Sequence, residues 1–471
     1  MVLRIAIATA AALAAICAAL PAAAHVSEQG LVLLLPTEHY RISGVLAVVA
    51  SILLISMAPK SFVTRLFRPI DIAGPKLPIW VPELTSLVAL ICFFTLVWIG
   101  VTGPRDPLTN LFPLMIWVGF WIILFSVIGL STDLWRFVNP WTGLCALLFG
   151  RKSAGLVTLP TRLGATPALA IFIAFCSFYV VDPAPADPDR LAVIAMLYWV
   201  LTLAAMAVFG ASEWMRRGEA FAVLFRLISR NAAFGHGQAR RVGMPGWDLL
   251  PSQPLPLSLG LFAVVILGVG SFDGLKETFW WLAIIGVNPL EFPGRSFVIT
   301  SSLIGLALSS VGLIAVFASA LWLGSRIAQA GAPDAPPIPL ALLLRRFAPS
   351  ILPIALAYHM SHFLITFLVD GQYLLAAIGD PLANGSNLFG LGQLRVTTGF
   401  LNTTVSVRAI WLTQAGIVVL GHILAVLVSH HAALTLFQTP RRAALSQIPI
   451  ATFMVGYTFF GLWLLAAPRG I

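Results

Sequence analysis

The chain has 471 residues, of which 59% are hydrophobic and only 10% charged, with a net charge of +10. Soluble globular chains carry about 25% charged residues, so this composition excludes an ordinary soluble domain and defines a polytopic membrane protein. The basic excess then reads as Lys and Arg gathered in cytoplasmic loops, not as a nucleic-acid surface.

Residues 1–24 read as a cleavable signal peptide: Arg4 is the positive start, "IAIATAAALAAICAAL" the apolar stretch, and Ala22-Ala23-Ala24 the small-residue cleavage site. The alternative is an uncleaved first helix. Cleavage after Ala24 makes His25 the mature N-terminus, on the periplasmic side. Residues 25–40 then form a periplasmic segment whose "LVLLLPTEHY" is too short to span and either lies at the interface or dips back into the protein. Residues 41–471 form the transmembrane domain.

The fold class expected for that domain is all-α, a bundle of about ten transmembrane helices. The apolar runs place them near 41–59, 85–102, 110–130, 165–182, 191–210, 257–273, 298–322, 347–369, 409–429 and 450–467. With the mature N-terminus outside, the cytoplasmic connections hold the basic groups, from Lys60 and Arg65 through Arg151, Arg216 and Arg345 to Arg442. The outer connection "VDPAPADPDR" is acidic, and the loop "RLISRNAAFGHGQARRVGMPGW" is basic and cytoplasmic, with His236 solvated. The four cysteines include no CxxC, so no zinc knuckle, redox pair or disulfide framework is indicated.

The informative residues are ionisable groups inside apolar spans, because they are expensive there. His359 and His362 in "AYHMSHFLITFLVD" are spaced i, i+3 and share a helix face, and His422 in "VVLGHILAVLVSHH" falls at a similar depth, within roughly 6 Å, in an antiparallel neighbour. Two readings stand: hydrogen-bonded glue between helices, or a shared metal or proton site. Asp273 and Glu277, with Asp370, Gln372 and Tyr373, lie toward the outer ends of their helices. They read either as ordinary helix-end polarity or as carboxylates that orient the histidines. Trp135, Arg136 and Trp141 read as interfacial anchors. A free amine at His25, with its imidazole, makes a two-nitrogen chelate suited to copper or zinc, with Glu28 as an extra ligand or base and His39 a weaker candidate. The plain alternative is a histidine that follows the cleavage site by chance.

At these residues the chain resembles the membrane-bound fenitrothion hydrolase family. The resemblance rests on "AHVSEQGLVLLLPT", "LWRFVNPWTGL", "FDGLKETFWW", "RRFAPSILPIALAYHMSHFLITFLVDGQYLL", "LGHILAVLVSHH" and "RRAALSQIPIATFMVGYTFFGLWLL", and is most specific in the C-terminal third. It implies an inner-membrane enzyme with a cleaved signal, acting on organophosphorus triesters together with a second, related membrane subunit. It carries over no residue roles. The residues themselves leave two expectations. One is a metal-dependent phosphotriesterase with His359, His362 and His422, with or without His25, as ligands and Asp370, Asp273 or Glu28 orienting a ligand or taking the proton. The other is a copper-binding protein that handles or transports the metal, or an oxidoreductase, without hydrolase activity.

Overall fold

The computed structural model describes Val32 and residues 35–72, 78, 80–150, 155–235, 241–250, 253–291, 293–331, 334–390, 394–437 and 439–469. The expected signal peptide lies outside the described residues.

The first half of the chain runs through α1 (Thr37–Ser56), the short α2 (Lys60–Leu66), α3 (Trp80–Thr102) and α4 (Leu111–Leu130). Two short helices follow, α5 (Trp135–Val138) and α6 (Thr142–Phe149), then α7 (Thr166–Val181), α8 (Pro188–Phe209), α9 (Ala211–Arg217) and α10 (Ala220–Ile228). The second half holds α11 (Leu257–Lys276), α12 (Phe279–Ile284), α13 (Ile299–Ala330), α14 (Leu340–Phe347), α15 (Ile351–His362), α16 (Leu364–Gly379), α17 (Thr404–Leu436) and α18 (Pro440–Ala466). One two-residue strand pair joins Ile70–Asp71 to Arg241–Val242, with Arg241 Nε 3.1 Å from Asp71 Oδ1.

Nine helices among the described residues are long and apolar enough to cross a bilayer. The expected span at 165–182 is the exception: α7 has only 16 residues, about 24 Å of rise against a core of about 30 Å. Several helices outrun their apolar stretches. α13 continues to Ala330 and α17 starts at Thr404, because polar side chains such as Arg326 and Arg408 lower hydropathy without ending a helix.

Burial is arranged as bilayer chemistry requires. Leu54 of α1, Ile91 of α3, Val193 of α8 and Leu308 of α13 are all more than half exposed. Water would penalise such a belt, whereas acyl chains solvate it. In α11, by contrast, every residue from Phe262 to Val269 is buried, and in α15 Ile351 to His359 are buried without a break. Helices apolar on every face belong at the centre of a bundle. α15 meets α17 closely: a Cβ added to Gly421 would lie 2.4 Å from the Ala357 Cβ, so only hydrogen fits there. Val32 is also buried, in a cluster with Val407, Trp411 and Leu462, so the chain just ahead of α1 packs onto the bundle.

The connections sort to two ends. At one, Arg105 pairs with Asp187, Arg190 with Asp182, and Glu277 with Arg469, while the Phe279 N–H donates to the Pro468 carbonyl. At the other, Arg217 reaches the Gly164 carbonyl, Arg345 the Leu255 carbonyl and Arg442 the Ala328 carbonyl. This is the alternation expected from the loop charges.

The connection after α8 is not all surface loop. α10 is buried from Ala220 to Phe225, and Phe221 packs edge-on against Phe120 at 4.9 Å and Phe175 at 5.0 Å. Nine residues are too few for a hydropathy window of about 19 residues to register. Glu219 makes this burial tolerable. Its carboxylate accepts from the Phe221 and Ala222 N–H groups at 3.0 and 2.5 Å, from Trp135 Nε1 at 3.2 Å, and from the Tyr198 hydroxyl. Glu219→Ala is therefore expected to cost about 2–4 kcal/mol, since four donors lose their acceptor in a dry setting. Thermal unfolding in mild detergent reads this, and Glu219→Gln should lose clearly less. Trp135 and Trp141 are buried in this cluster, not placed at the interface as expected.

Candidate functional site

The expected span at 347–369 is broken in the middle. α15 ends at His362, Phe363 leaves helical geometry at φ −91°, ψ 6°, and α16 starts at Leu364. The break falls immediately after the histidine pair. Phe363 packs against both imidazoles, with ring centroids 4.8 Å from His359 and 4.6 Å from His362.

Each histidine engages a different partner. His359 Nε2 lies 2.9 Å from the Trp121 carbonyl oxygen, and its ring stacks on Phe125 at 3.9 Å. A carbonyl only accepts, so this nitrogen carries the proton and Nδ1 keeps the lone pair. Trp121 lies in a stretch of α4, Met115–Leu124, wound with the wider π-helical hydrogen bonding that recurs at functional sites. His362 Nε2 lies 3.0 Å from Asp273 Oδ2, which fixes the same tautomer and leaves Nδ1 of His362 buried without a protein partner.

Asp273 is the hub. It sits in the last turn of α11, three residues before Lys276, so both face the same way. Lys276 Nζ lies 3.1 Å from Asp273 Oδ1, and the Tyr179 hydroxyl donates to Oδ2 at 3.1 Å. Both charged side chains are shielded, 4% and 12% exposed, so this pair is not weakened as surface pairs are. Lys276 also sits over the Tyr179 ring and within 3.8 Å of Glu277, which reaches Arg469 at 3.6 Å. Arg295 holds the end of α7 through the Tyr179 and Val180 carbonyls at 2.8 and 3.1 Å.

These groups wall a small cavity between α4, α7, α11 and α15, about 30 Å³ in volume. That is room for a water molecule. Its walls include Trp121, Asp273, Tyr358, His359, His362 and Phe363. Two buried wall atoms lack a protein partner, the donor Nε1 of Trp121 and the acceptor Nδ1 of His362. A Cβ on Gly274 would lie 2.2 Å from the Tyr358 hydroxyl oxygen and 3.5 Å from His362 Nδ1, so only a glycine lets α11 and α15 approach this closely.

The other expected site residues stand apart. His422 bonds through Nδ1 to the Val418 carbonyl of its own helix at 2.9 Å, and its ring faces Tyr457 of α18 at 6.5 Å. Gly421 faces α15, so His422, about 100° further round α17, faces α18. No three His, Cys, Asp or Glu side chains gather as a metal-holding group among the described residues, and the expected three-histidine cluster is not formed. Asp370 lies two turns into α16, half-buried and away from this cavity's walls. Gln372 ties α16 to the segment before α17 through Thr397, at 3.0 and 2.9 Å. His39 is exposed on α1, and His430 is bonded to Ala58 and Gln447. His25 and Glu28 lie outside the described residues.

Sequence reasoning missed Lys276 and Tyr179. Lys276 had a readable signal, a lysine three residues from an intramembrane aspartate. Tyr179 had only the presence of a hydroxyl in an apolar run.

The described architecture is that of a polytopic α-helical membrane protein with a buried ionic cluster near one end of its bundle. Compared with known proteins, the chain matches no family model, no curated protein and no solved structure.

Proposed function

We propose that the protein is a membrane-embedded hydrolase of neutral organophosphorus triesters, with the Asp273–His362 pair as its general base. One observation carries the reading: a water-sized cavity bordered by an imidazole with one nitrogen held by a carboxylate and the other buried without a hydrogen-bond partner. That is the arrangement by which a carboxylate fixes a histidine tautomer and stabilises the imidazolium formed in turn. The sequence resemblance to the fenitrothion hydrolases supplies the substrate class, and an inner-membrane location with a periplasmic N-terminus belongs to the same reading.

In this scheme a water in the cavity gives a proton to His362 Nδ1 as its oxygen attacks phosphorus. The P–O bond to the aryl group breaks, and the electron pair leaves with the aryloxide. The imidazolium then returns its proton to the aryloxide or to bulk water. Lys276 pairs with Asp273, and Tyr179 orients it. The cavity has room for a water but not for a triester, so its walls must part to admit the phosphoryl group.

The metal-dependent variant has partial support from geometry. An oxygen holds Nε2 of both His359 and His362, the backbone carbonyl of Trp121 and the carboxylate of Asp273, as outer-shell oxygens do in histidine metal sites. Zinc sites use three or four protein ligands, and the described residues bring only these two to the cavity. The described residues do not by themselves complete a copper or zinc site, and no step is routed through one.

Paraoxon hydrolysis by the purified protein in proteoliposomes, before and after exhaustive chelation, tests both variants. The base mechanism predicts turnover that survives chelation. Activity lost with the metal and restored by copper or zinc would replace it with the metal-dependent form. Copper retained without any hydrolysis, even with the related subunit that the resemblance implies, would favour the copper-binding reading.

A further inference from the structure

The cavity beside His362 is too small for a triester, and the helices around it are not held alike. α15 is fixed. Ten of its twelve residues are buried, and its Ala357 leaves no room for a side chain at Gly421 of α17. In its last turn, just before the break, Ser361 and Gln414 exchange two bonds. The Ser361 hydroxyl donates to the Gln414 carbonyl at 3.0 Å, and Gln414 Nε2 donates to the Ser361 carbonyl at 2.9 Å. α7 is pinned by the Tyr179 bond to Asp273 and by Arg295 at its end, and its Phe172 stacks on Phe262 of α11 at 5.1 Å.

α16 is different. Only Leu374 and Ala377 of its sixteen residues are buried. They pack with Leu114 and Val118 of α4, and a Cβ on Gly119, in the π-helical stretch, would lie 3.9 Å from Leu374 Cδ2. Nearer the break on the same face the packing lapses. Phe367 is 39% exposed and Asp370 only half-buried, at positions i−7 and i−4 from Leu374. Sparse burial marks a segment that opens at low free-energy cost. The break supplies the hinge, because a residue between two helices can absorb a change in φ and ψ. That residue is Phe363, whose ring lies against both imidazoles and forms part of the cavity wall. A turn at its backbone carries the ring with it.

We propose that α16 is a lateral gate. It turns about Phe363 away from α4, draws the Phe363 ring off His359 and His362, and opens the cavity to a neutral ester dissolved in the bilayer. α15 stays in place on α17, so the histidines keep their partners while the gate moves. The identity of the entering molecule rests on the hydrolase reading; the motion does not.

The test ties α16 to α4. Gly119→Cys with Leu374→Cys, in the full-length protein carrying Cys17→Ser and Cys92→Ser, is oxidised to the disulfide in proteoliposomes. A side chain at Gly119 is crowded by the flexible end of Met115, 2.6 Å away, and next meets Leu374. Paraoxon turnover is expected to fall at least tenfold on oxidation and to return with dithiothreitol, while the single variants respond to neither. A second measurement needs no turnover. Nitroxides on Leu375→Cys of α16 and Leu308→Cys of α13, at positions 60% and 65% exposed, should report two separations by pulsed electron resonance, with paraoxon changing their shares. Equal turnover before and after disulfide formation overturns the gate and leaves the hydrolase reading standing. Hydrolysis absent from every form removes that reading. In that case, or if no disulfide forms, the nitroxides decide: a single separation unchanged by paraoxon overturns the gate.

Discussion

Asp273→Asn is expected to destabilise the protein by about 3 kcal/mol, because it strands the Lys276 ammonium in a shielded site. Lys276 Nζ is 3.1 Å from the carboxylate, and its remaining acidic neighbour, Glu277, is 3.8 Å away and a third exposed. Glu277 therefore compensates in part, which puts the cost at the lower end for a broken buried pair. The second variant makes the argument specific. Adding Lys276→Met removes the stranded charge and should recover most of the lost stability, while hydrolysis stays abolished. Unfolding in mild detergent measures the first effect and paraoxon turnover the second. If Asp273→Asn melts like the wild type, the ion pair does not hold this end of the bundle. If the double variant regains turnover, Asp273 is not part of the chemistry.

His362→Ala is expected to separate activity from stability in the opposite sense. Asp273 keeps Lys276 and Tyr179 as partners, so little folding energy is lost. Turnover should fall by about 10²- to 10⁴-fold, the usual contribution of a positioned base. His359→Ala is the contrasting variant. It empties a site stacked on Phe125 at 3.9 Å and removes the bond to the Trp121 carbonyl, so it should cost stability more than His362→Ala does. A similar melting loss for both, with turnover falling equally, would make the pair structural and leave no special role for His362.

Much of the bundle was legible because a span must be long and apolar whatever its neighbours, and the loop charges follow the same alternation as the two ends. α10 was not legible, because a nine-residue helix buried by protein looks like a loop to a pattern tuned to bilayer thickness. For the site, the sequence marks out Asp273, His359 and His362 by the cost of placing them in lipid. It does not give their partners. Similar depth suggested His422 beside the other two, but partner choice depends on rotation about α17, and the residue facing α15 is Gly421. The pairing of His362 with Asp273 joins positions 89 residues apart. Carboxylate orientation of a histidine was one of the readings, yet nothing in the spacing selected Asp273 over Asp370.

The most direct measurement is paraoxon hydrolysis in ¹⁸O-enriched water by the full-length protein and by His362→Ala. The predicted result is ¹⁸O in the dialkyl phosphate product, from water attack at phosphorus, with the rate falling at least 100-fold in the variant. Equal rates in the two proteins, or no hydrolysis by the wild type, would contradict the assignment of Asp273 and His362 as the base.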